Sequence, residues 1–295
     1  MNIWPESGYG QCPTRRPRDI ASSCRGGAAA EGRPQQKCGI GMSFKDHFSR
    51  QATDYAKFRP RYPREMFDYL GTLTPARQLA WDCATGNGQA AVELAAVFDQ
   101  VIATDASETQ IANAEPHERV EYHVAPAEQS NLRSGSFDLV LVAQALHWLN
   151  HDRFYPEVRR VLKQNGVFAA SAYNLLRTER PIKEMIRRYY YEIVGPYWPP
   201  ERSLVEQFRK IPFPFPDSET PAFEIVAEWN LEHLTGYLRS WSSTQRFIAA
   251  TNRNPIDQIA NDLEKAWGDP QRTKRIVWPL VLRVGVKTIS EGPTT

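Results

Sequence analysis

The chain has 295 residues, enough for one large domain or two small ones, and its 41% hydrophobic and 24% charged residues are ordinary for a globular protein. No apolar run approaches the roughly 20 residues that a bilayer span needs, which excludes a membrane-spanning protein. The net charge of +2 is concentrated in residues 1–41, where six basic side chains stand against three acidic ones, so the remainder carries 30 basic and 31 acidic residues. A body this close to neutral gives no electrostatic reason to expect a nucleic acid partner.

Residues 1–41 form a basic leader that is rich in Gly, Pro, Arg and Ser and has neither a helical nor a strand period. This composition predicts disorder, with a folded domain at 42–288 and a short tail at 289–295. Three of the four cysteines, Cys12, Cys24 and Cys38, lie in the leader. The cysteine spacings match no zinc pattern and no disulfide framework, so we expect free thiols, no metal and a cytoplasmic location.

The domain opens with two helical segments within residues 44–70, which Pro60 and Pro63 separate. Short apolar runs then alternate with helical periods, and the predicted strands are 79–82, 100–105, 120–125, 137–143 and 167–173. The helix before the last of these strands is predicted to end at a C-cap formed by Asn165 and Gly166. Nearly continuous apolar strands that alternate with helices predict a doubly wound, Rossmann-like α/β domain whose parallel sheet is covered on both faces.

The pattern changes after residue 173. The remaining predicted elements are a helical stretch from about 181, a segment rich in Pro and aromatic residues up to about 220, strands at 223–229 and 276–286, and helices at 231–251 and 255–267. The two added strands bring the sheet to seven, mostly parallel. We therefore expect a cofactor-binding half at about 42–174, covered by the N-terminal helices, and a helical, aromatic-rich lid with the C-terminal strands at about 175–288.

The loop after the first predicted strand reads DCATGNG over residues 82–88. It lies where ligands of open α/β sheets bind, outside the carboxyl ends of the strands. Residues 86–91 fit the G-x-G-x-x-G/A dinucleotide pattern, with Asp105 at the end of the next strand for the ribose, so an NAD-binding oxidoreductase is one interpretation. Asp82, however, would repel a pyrophosphate and would suit a ligand with ammonium and sulfonium charges, namely S-adenosylmethionine.

The same loop resembles the first motif of the class I S-adenosylmethionine-dependent methyltransferases, D/E-x-G-x-G-x-G, with Ala84 in place of the first glycine. The resemblance implies that Asp105 binds the ribose hydroxyls and that Ala127, beside Glu128, offers its backbone N–H to the adenine. Pro126 stands where many relatives have an acid. The cofactor-binding residues that the resemblance implies are Tyr55, Arg59, Asp82, Ala84, Gly86, Gly88, Asp105, Ala106, Ala127, Glu128 and Gln144.

Three further stretches narrow the resemblance. FSRQATDYAKFRPRYP near the start, AQALHWL after the fourth predicted strand and LTGYLRSWSS towards the end are similar to the trans-aconitate methyltransferase-like branch. The similarity covers about residues 43–288. It implies that the opening helices fold over the cofactor, which brings Tyr55 and Arg59 close to it, and that the segment after the fifth strand helps to roof the substrate pocket.

His147, just past the fourth predicted strand, is the best placed candidate for a catalytic base. Such a base contributes about 10²–10⁴-fold, whereas positioning of the reactants alone can supply on the order of 7–11 kcal/mol. A structural or cofactor-binding role for His147 is equally open, and a carboxylate acceptor would need no base. Trp148 and Trp241 are the candidates for the substrate pocket, with Trp241 chosen from the aromatic residues of the C-terminal third.

His147 and His151 are four residues apart, as in a helical metal pair, but Trp148 stands where metalloproteases have Glu and no third ligand is evident. The chain also has no strand-terminal Pro-Pro-Tyr/Trp element of the base-methylating enzymes. We therefore expect S-adenosylmethionine-dependent methylation of a small molecule, at a carboxylate or hydroxyl oxygen. An NAD-binding oxidoreductase and a non-catalytic cofactor-binding regulatory module are the alternatives, and the sequence does not indicate an oligomeric state.

Overall fold

The predicted sheet is present in the structure, a computed structural model that describes residues 58–288. Its seven strands are β1 (Leu79–Cys83), β2 (Gln100–Asp105), β3 (Val120–Val124), β4 (Phe137–Ala143), β5 (Leu162–Tyr173), β6 (Phe223–Trp229) and β7 (Lys274–Val286). They lie in the order β3-β2-β1-β4-β5-β7-β6, where β1 to β5 run parallel and β7 runs antiparallel to both of its neighbours. The order reverses between β1 and β4, which opens a crevice at the carboxyl ends of these strands.

Helices cover both faces of this sheet. They are α1 (Arg64–Leu73), α2 (Gln89–Ala95), α3 (Glu108–Ala112), α4 (His151–Val161), α5 (Arg180–Arg188), α6 (Arg202–Glu206), α7 (Leu231–Arg239), α8 (Ser242–Thr251) and α9 (Ala260–Trp267). Two 3₁₀ turns, Ala127–Gln129 and Leu146–Trp148, follow β3 and β4. Within residues 58–288 every helix is too short or too polar to cross a bilayer.

Alternate strand residues pack into two cores on opposite faces of the sheet. Trp81 of β1 packs with Phe137 and with Phe154 of α4, whereas the adjacent Ala80 belongs to the core that contains Leu94 of α2. Burial on both faces explains the nearly continuous apolar sequence of the central strands, because no position in them faces water.

The predicted C-cap at Asn165 and Gly166 is wrong. Helix α4 ends at Val161, and β5 begins at the next residue, so both residues lie within the strand. Asn165 does adopt the left-handed conformation, with φ 61°, but its backbone N–H bonds the carbonyl of Lys287 beyond β7. The conformation that the Asn-Gly pair favours is used for an irregularity in β5, where the register against β4 shifts.

Arg283 of β7 fixes the proline- and aromatic-rich insertion that follows α6. Its guanidinium pairs with Asp217 at 2.8 Å and donates to the carbonyls of Phe208 and Ile211, at 3.2 and 2.5 Å. It also lies 4.2 Å from the ring centroid of Phe213. A buried cation with this many partners holds the insertion against the sheet, on the same face as α4.

Candidate active site

A cavity of about 740 Å³ lies at the carboxyl ends of β1, β2 and β4. Its walls are the glycine loop after β1, the end of β2, residues 124–128 after β3, and residues 143–150 after β4. A volume of roughly 300–1,000 Å³ is usual for a small-molecule or cofactor site. The sheet topology therefore places the predicted site residues of several strands around one large cavity.

The glycine loop turns through three left-handed residues, Ala84 (φ 57°), Gly86 (φ 59°) and Gly88 (φ 86°). A Cβ on Gly86 would meet no atom within 4 Å, because this residue borders the cavity, whereas a Cβ on Gly88 would lie 2.2 Å from Oη of Tyr122. Gly88 is thus required by close packing and Gly86 by its backbone conformation beside the cavity. Ala84 has a φ close to that of Gly86, although it carries a Cβ.

Asp105, at the end of β2, is held by two backbone donors. Its Oδ2 accepts a hydrogen bond from N–H of Gly86 and its Oδ1 accepts one from N–H of Ser107, both at 2.9 Å. Asp105 and the following Ala106 line the cavity. Each carboxylate oxygen has a further lone pair, so Asp105 has the capacity to accept bonds from a pair of ribose hydroxyls.

Asp82 lies beneath the glycine loop and is fully buried, and it is Thr85 that lines the cavity. The Thr85 hydroxyl donates to Oδ2 of Asp82, while Oδ1 has no hydrogen-bond partner among the described residues. Burial raises the pKa of Asp82 to about 7, and the nearby Asp105 adds to this, against the opposing hydrogen bond from Thr85. At neutral pH, a carboxyl group with this pKa is readily protonated unless a cation nearby favours its ionised form.

The turn Ala127–Gln129 forms the opposite wall. Pro126, Ala127 and Glu128 line the cavity, and Oε1 of Glu128 accepts a hydrogen bond from N–H of Asn150 at 3.0 Å. Glu157 of α4 supports the turn from below. Its Oε1 accepts from N–H of Ser130 at 2.9 Å. The turn predicted to receive the adenine is therefore anchored to a helix of the core.

A second, smaller cavity of about 60 Å³ adjoins the first, and Gln144, Trp148 and Tyr173 line both. Arg59, which the resemblance implies is near the cofactor, lines the smaller cavity and does not line the larger one. Its Nη2 donates to the carbonyl of Ser240 at 3.2 Å, and its Nη1 lies 3.4 Å from Oη of Tyr173. The residue thus joins the N-terminal segment to β5 and to the end of α7.

Arg202 of α6 enters the smaller cavity from the lid. Its Nε donates to Oη of Tyr190 at 2.8 Å and its Nη2 to Oδ1 of Asn174 at 3.2 Å. The guanidinium also lies 4.9 Å from the centroid of Trp198. Sequence reasoning missed Arg202, because it lies in an irregular insertion whose position depends on packing and not on any motif.

His147 lies in the turn Leu146–Trp148, is buried, and lines the smaller cavity. Burial and the nearby Arg202 lower the pKa of His147 to about 3, so the ring is neutral at physiological pH. Its Nδ1 has no hydrogen-bond partner among residues 58–288. A neutral imidazole with a buried ring nitrogen of this kind can hydrogen-bond a ligand, but it is a weak base.

Trp148 and Trp241, the candidates for the substrate pocket, both line the smaller cavity, and Trp148 also lines the larger one. Trp241 is buried between Tyr190 and Trp198, with ring centroids 5.6 Å away in each case. It lies at the N-cap of α8, where the predicted helix 231–251 divides into α7 and α8. Tyr55, predicted near the cofactor, lies outside the described residues.

No cluster of His, Cys, Asp and Glu within residues 58–288 could hold a metal ion. Nε2 of His151 lies 2.9 Å from the carbonyl oxygen of Leu146. The ring of His151 is therefore held by the backbone of the turn that contains His147.

A family model described as "Methyltransferase domain" matches residues 81–170, which include the glycine loop, Asp105 and β4. Together with the sheet order and the cavity, this match defines the protein as a class I S-adenosylmethionine-dependent methyltransferase. The cofactor is accordingly S-adenosylmethionine, and the dinucleotide interpretation of the glycine loop is set aside.

The chain belongs to a family of methyltransferases, and its similarity to members of that family covers more of the chain than residues 81–170. A protein of Dictyostelium discoideum described as a methyltransferase is 35% identical over 76% of this chain and 87% of its own length. A solved structure from Anaeromyxobacter dehalogenans, described as a type II methyltransferase, is 43% identical, with a TM-score of 0.74 over 78% of this chain and 99% of that one. An S-adenosylmethionine-dependent methyltransferase of Saccharomyces cerevisiae is 30% identical over 40% of this chain and 44% of its own length. These similarities establish the class and leave the trans-aconitate-like branch a prediction.

Proposed function

We propose that this enzyme methylates a carboxylate oxygen of a small acid that binds in the smaller cavity. The observation that carries the proposal is that two guanidinium groups, those of Arg59 and Arg202, line one cavity next to the cofactor cavity. Guanidinium groups match carboxylates in charge and in planar geometry. Arg202 donates to two neutral partners, Tyr190 and Asn174, and has further N–H groups for a ligand.

The larger cavity fits S-adenosylmethionine in size and in chemistry. We propose that Asp105 holds the ribose, that Ala127 and Glu128 border the adenine, and that Gly86 lets the backbone pass close to the amino acid portion. Asp82 acts on the ammonium group from beneath the loop. The Thr85 hydroxyl, which bonds Oδ2 of Asp82, belongs to a residue that lines the cavity, and the buried Oδ1 has no hydrogen-bond partner in the described chain. The bound cofactor supplies a methyl group that is activated by a sulfonium charge.

Within the smaller cavity, this chain contributes orientation and the exclusion of water. A carboxylate is ionised at physiological pH and needs no base, which agrees with a neutral His147 whose pKa is about 3. A hydroxyl acceptor would need a stronger base at this position. His147 is therefore proposed to hydrogen-bond the acceptor, while Trp148 and Trp241 cover it.

One relative supports oxygen as the acceptor atom. A malonyl-[acyl-carrier protein] O-methyltransferase of Geobacter sulfurreducens is 34% identical over 42% of this chain and 51% of its own length. We further propose that the acceptor is a small molecule and not a nucleic acid, since the body of the chain is nearly neutral. The buried, unpaired thiol of Cys83 is in keeping with a reducing compartment such as the cytoplasm.

The test is transfer of tritium from methyl-labelled S-adenosylmethionine to a panel of mono-, di- and tricarboxylic acids, each paired with its amide and alcohol. Carboxylate methylation yields an ester, which releases volatile labelled methanol in mild base, whereas an ether or methylamine does not. For Arg202→Met we expect KM for the acid to rise roughly 10–100-fold, since a charge-assisted hydrogen bond is worth about 1.5–3 kcal/mol. Arg188→Met, at an exposed position of α5, is the matched control. A base-stable product, or an unchanged KM in Arg202→Met, contradicts the proposal.

A further inference from the structure

Gln144 has an unusual backbone conformation at the boundary between the two cavities. It follows directly on β4 with φ 57°, a strained region that non-glycine residues rarely occupy. It lines both the cofactor cavity and the smaller cavity. Strain at such a position indicates that the surrounding structure requires this side chain here.

The side-chain amide of Gln144 is paired with the backbone of a single residue. Its Nε2 donates to the carbonyl of Tyr173 at 3.0 Å, and its Oε1 accepts from N–H of Tyr173 at 2.8 Å. The backbone N–H of Gln144 donates to the carbonyl of Ser171, one step beyond the last paired residues of β4 and β5. The amide thus replaces the next peptide group and continues the ladder between these strands by one rung.

Tyr173 connects Gln144 to the smaller cavity, because its backbone bonds the Gln144 amide and the residue lines that cavity. It is the last residue of β5 and is buried, its ring packs edge-on against Tyr62 at 6.3 Å, and its Oη faces Nη1 of Arg59 at 3.4 Å. Arg59 also bonds the carbonyl of Ser240 and lies 5.4 Å from the ring centroid of Tyr237. The position of the end of β5 relative to β4 is therefore one of the restraints on the direction of the Arg59 guanidinium.

We propose that Gln144 is a positioning residue that acts through Tyr173 to aim Arg59 at the acceptor. This rests on the proposed role of Arg59 in binding a carboxylate. This role of Gln144 differs from the cofactor-binding role that the resemblance implied, because the side-chain amide uses one donor and one acceptor to bond the backbone of Tyr173. The strained backbone at 144 serves to turn the side chain back onto β5.

Two variants separate this role from a requirement for the backbone turn alone. Gln144→Gly removes the amide but relieves the left-handed strain, and Gln144→Glu keeps the size and the acceptor for N–H of Tyr173 while it loses the donor to the carbonyl. Asn165→Gly, at φ 61° on the far end of β5, is the control for strain relief away from the site. Each is crystallised with S-adenosylhomocysteine, and the affinity for that ligand is measured by titration calorimetry.

In Gln144→Gly we expect the Tyr173 ring and the Arg59 guanidinium to move while Arg202 stays, with the Kd for S-adenosylhomocysteine within about threefold of the parent. With the acid most rapidly methylated in the panel, KM should rise about tenfold and kcat change less, because loss of uniform binding raises KM alone. The KM of Gln144→Glu should lie between those of the unsubstituted protein and Gln144→Gly. Asn165→Gly should have the KM and the Kd of the unsubstituted protein.

Unchanged positions of Tyr173 and Arg59 in Gln144→Gly would overturn the inference, and so would a tenfold weaker Kd for S-adenosylhomocysteine, which would make Gln144 a cofactor ligand. The crystal structures decide the positioning even if no acid is methylated, so displacement of Arg59 without any acid turnover would refute the carboxylate proposal alone.

Discussion

A carboxyl group buried at the end of β1 makes the stability of the ligand-free protein depend on pH. The pKa of Asp82 is raised from 3.8 to about 7 by burial, so the folded state holds a proton that the unfolded chain has lost between these values. Stability therefore falls as pH rises from about 4 to about 7, and the full penalty remains above pH 7. A cation bound nearby would reverse this by favouring the ionised form.

Asp82→Asn should remove that penalty and weaken cofactor binding. Without ligand at pH 8, we expect the free energy of unfolding to rise by about 1–4 kcal/mol, measured by urea denaturation. The parent's affinity for S-adenosylhomocysteine should increase from pH 6 to pH 8, while that of Asp82→Asn should be flat and roughly tenfold weaker at pH 8. A pH-independent Kd in the parent would show that Asp82 does not act on the ammonium group.

At the residue scale, the cofactor-binding motif around Asp82 and Asp105 could be predicted from the sequence, because its residue types and their spacing are both local features. The sequence places these acids at strand ends, and the structure brings Asp105 to the cavity wall. The sequence could not show that Asp82 lies beneath the loop, since this depends on how closely Thr85 packs over the Asp82 carboxyl group. Arg202 carried no local signal, because its position depends on the packing of an irregular segment.

At the element scale, the predicted strands agree with β1 to β7 to within a few residues except β5, which begins five residues early. Apolar runs on both faces give a strong local pattern, whereas helix ends depend on distant contacts. Helix α4 ends at Val161 because Leu162 already pairs with Phe137 of β4, and Lys163 then pairs with Asp138 at 2.8 Å. The predicted helix 231–251 divides where Trp241 turns inwards to the aromatic cluster.

The turn Ala127–Gln129 depends on α4 through Glu157. Burial opposes the charge on this residue, but hydrogen bonds from Arg160 and Ser130 prevail and hold the pKa of Glu157 below its usual range. Glu157→Gln should lower the free energy of unfolding by about 1–3 kcal/mol and weaken S-adenosylhomocysteine binding several-fold, because the amide loses the pairing with Arg160 at 2.7 Å.

The stabilisation that Glu157 supplies is present above its ordinary pKa and is lost as pH falls through the lowered one. The difference between parent and Glu157→Gln should therefore shrink in acid. Asp68→Asn, which breaks the exposed pair with Arg64 on α1, is the matched control and should cost less than about 1 kcal/mol. Equal effects of the two variants on binding would show that the turn needs no support from α4.

At the scale of the whole molecule, one sheet joins the cofactor half to the lid, because β7 and β6 extend it from β5. The alternation of strands and helices predicted a parallel sheet, but the place of β7 between β5 and β6 is a long-range pairing that no local pattern encodes. The two halves should thus unfold together, although they can be told apart in the sequence.

Calorimetry should show a single transition for the domain. S-adenosylhomocysteine at 100 times its Kd should stabilise the folded state by about 2.7 kcal/mol and shift the whole transition upwards by roughly 5–10 °C. Two transitions, of which the ligand moves only one, would mean that residues 175–288 fold apart from the cofactor half.

The walls of the two cavities come from different stretches of the polypeptide. All residues that border the larger cavity, apart from Glu201, lie between positions 62 and 173, whereas the smaller cavity also needs Tyr237 and Trp241. In the order of synthesis on the ribosome, the residues that border the methyl-donor compartment, apart from Glu201, are therefore made before the last residues of the compartment proposed for the acceptor. Capture of a donor analogue by a shortened chain would accordingly not report an enzyme that is able to transfer the group.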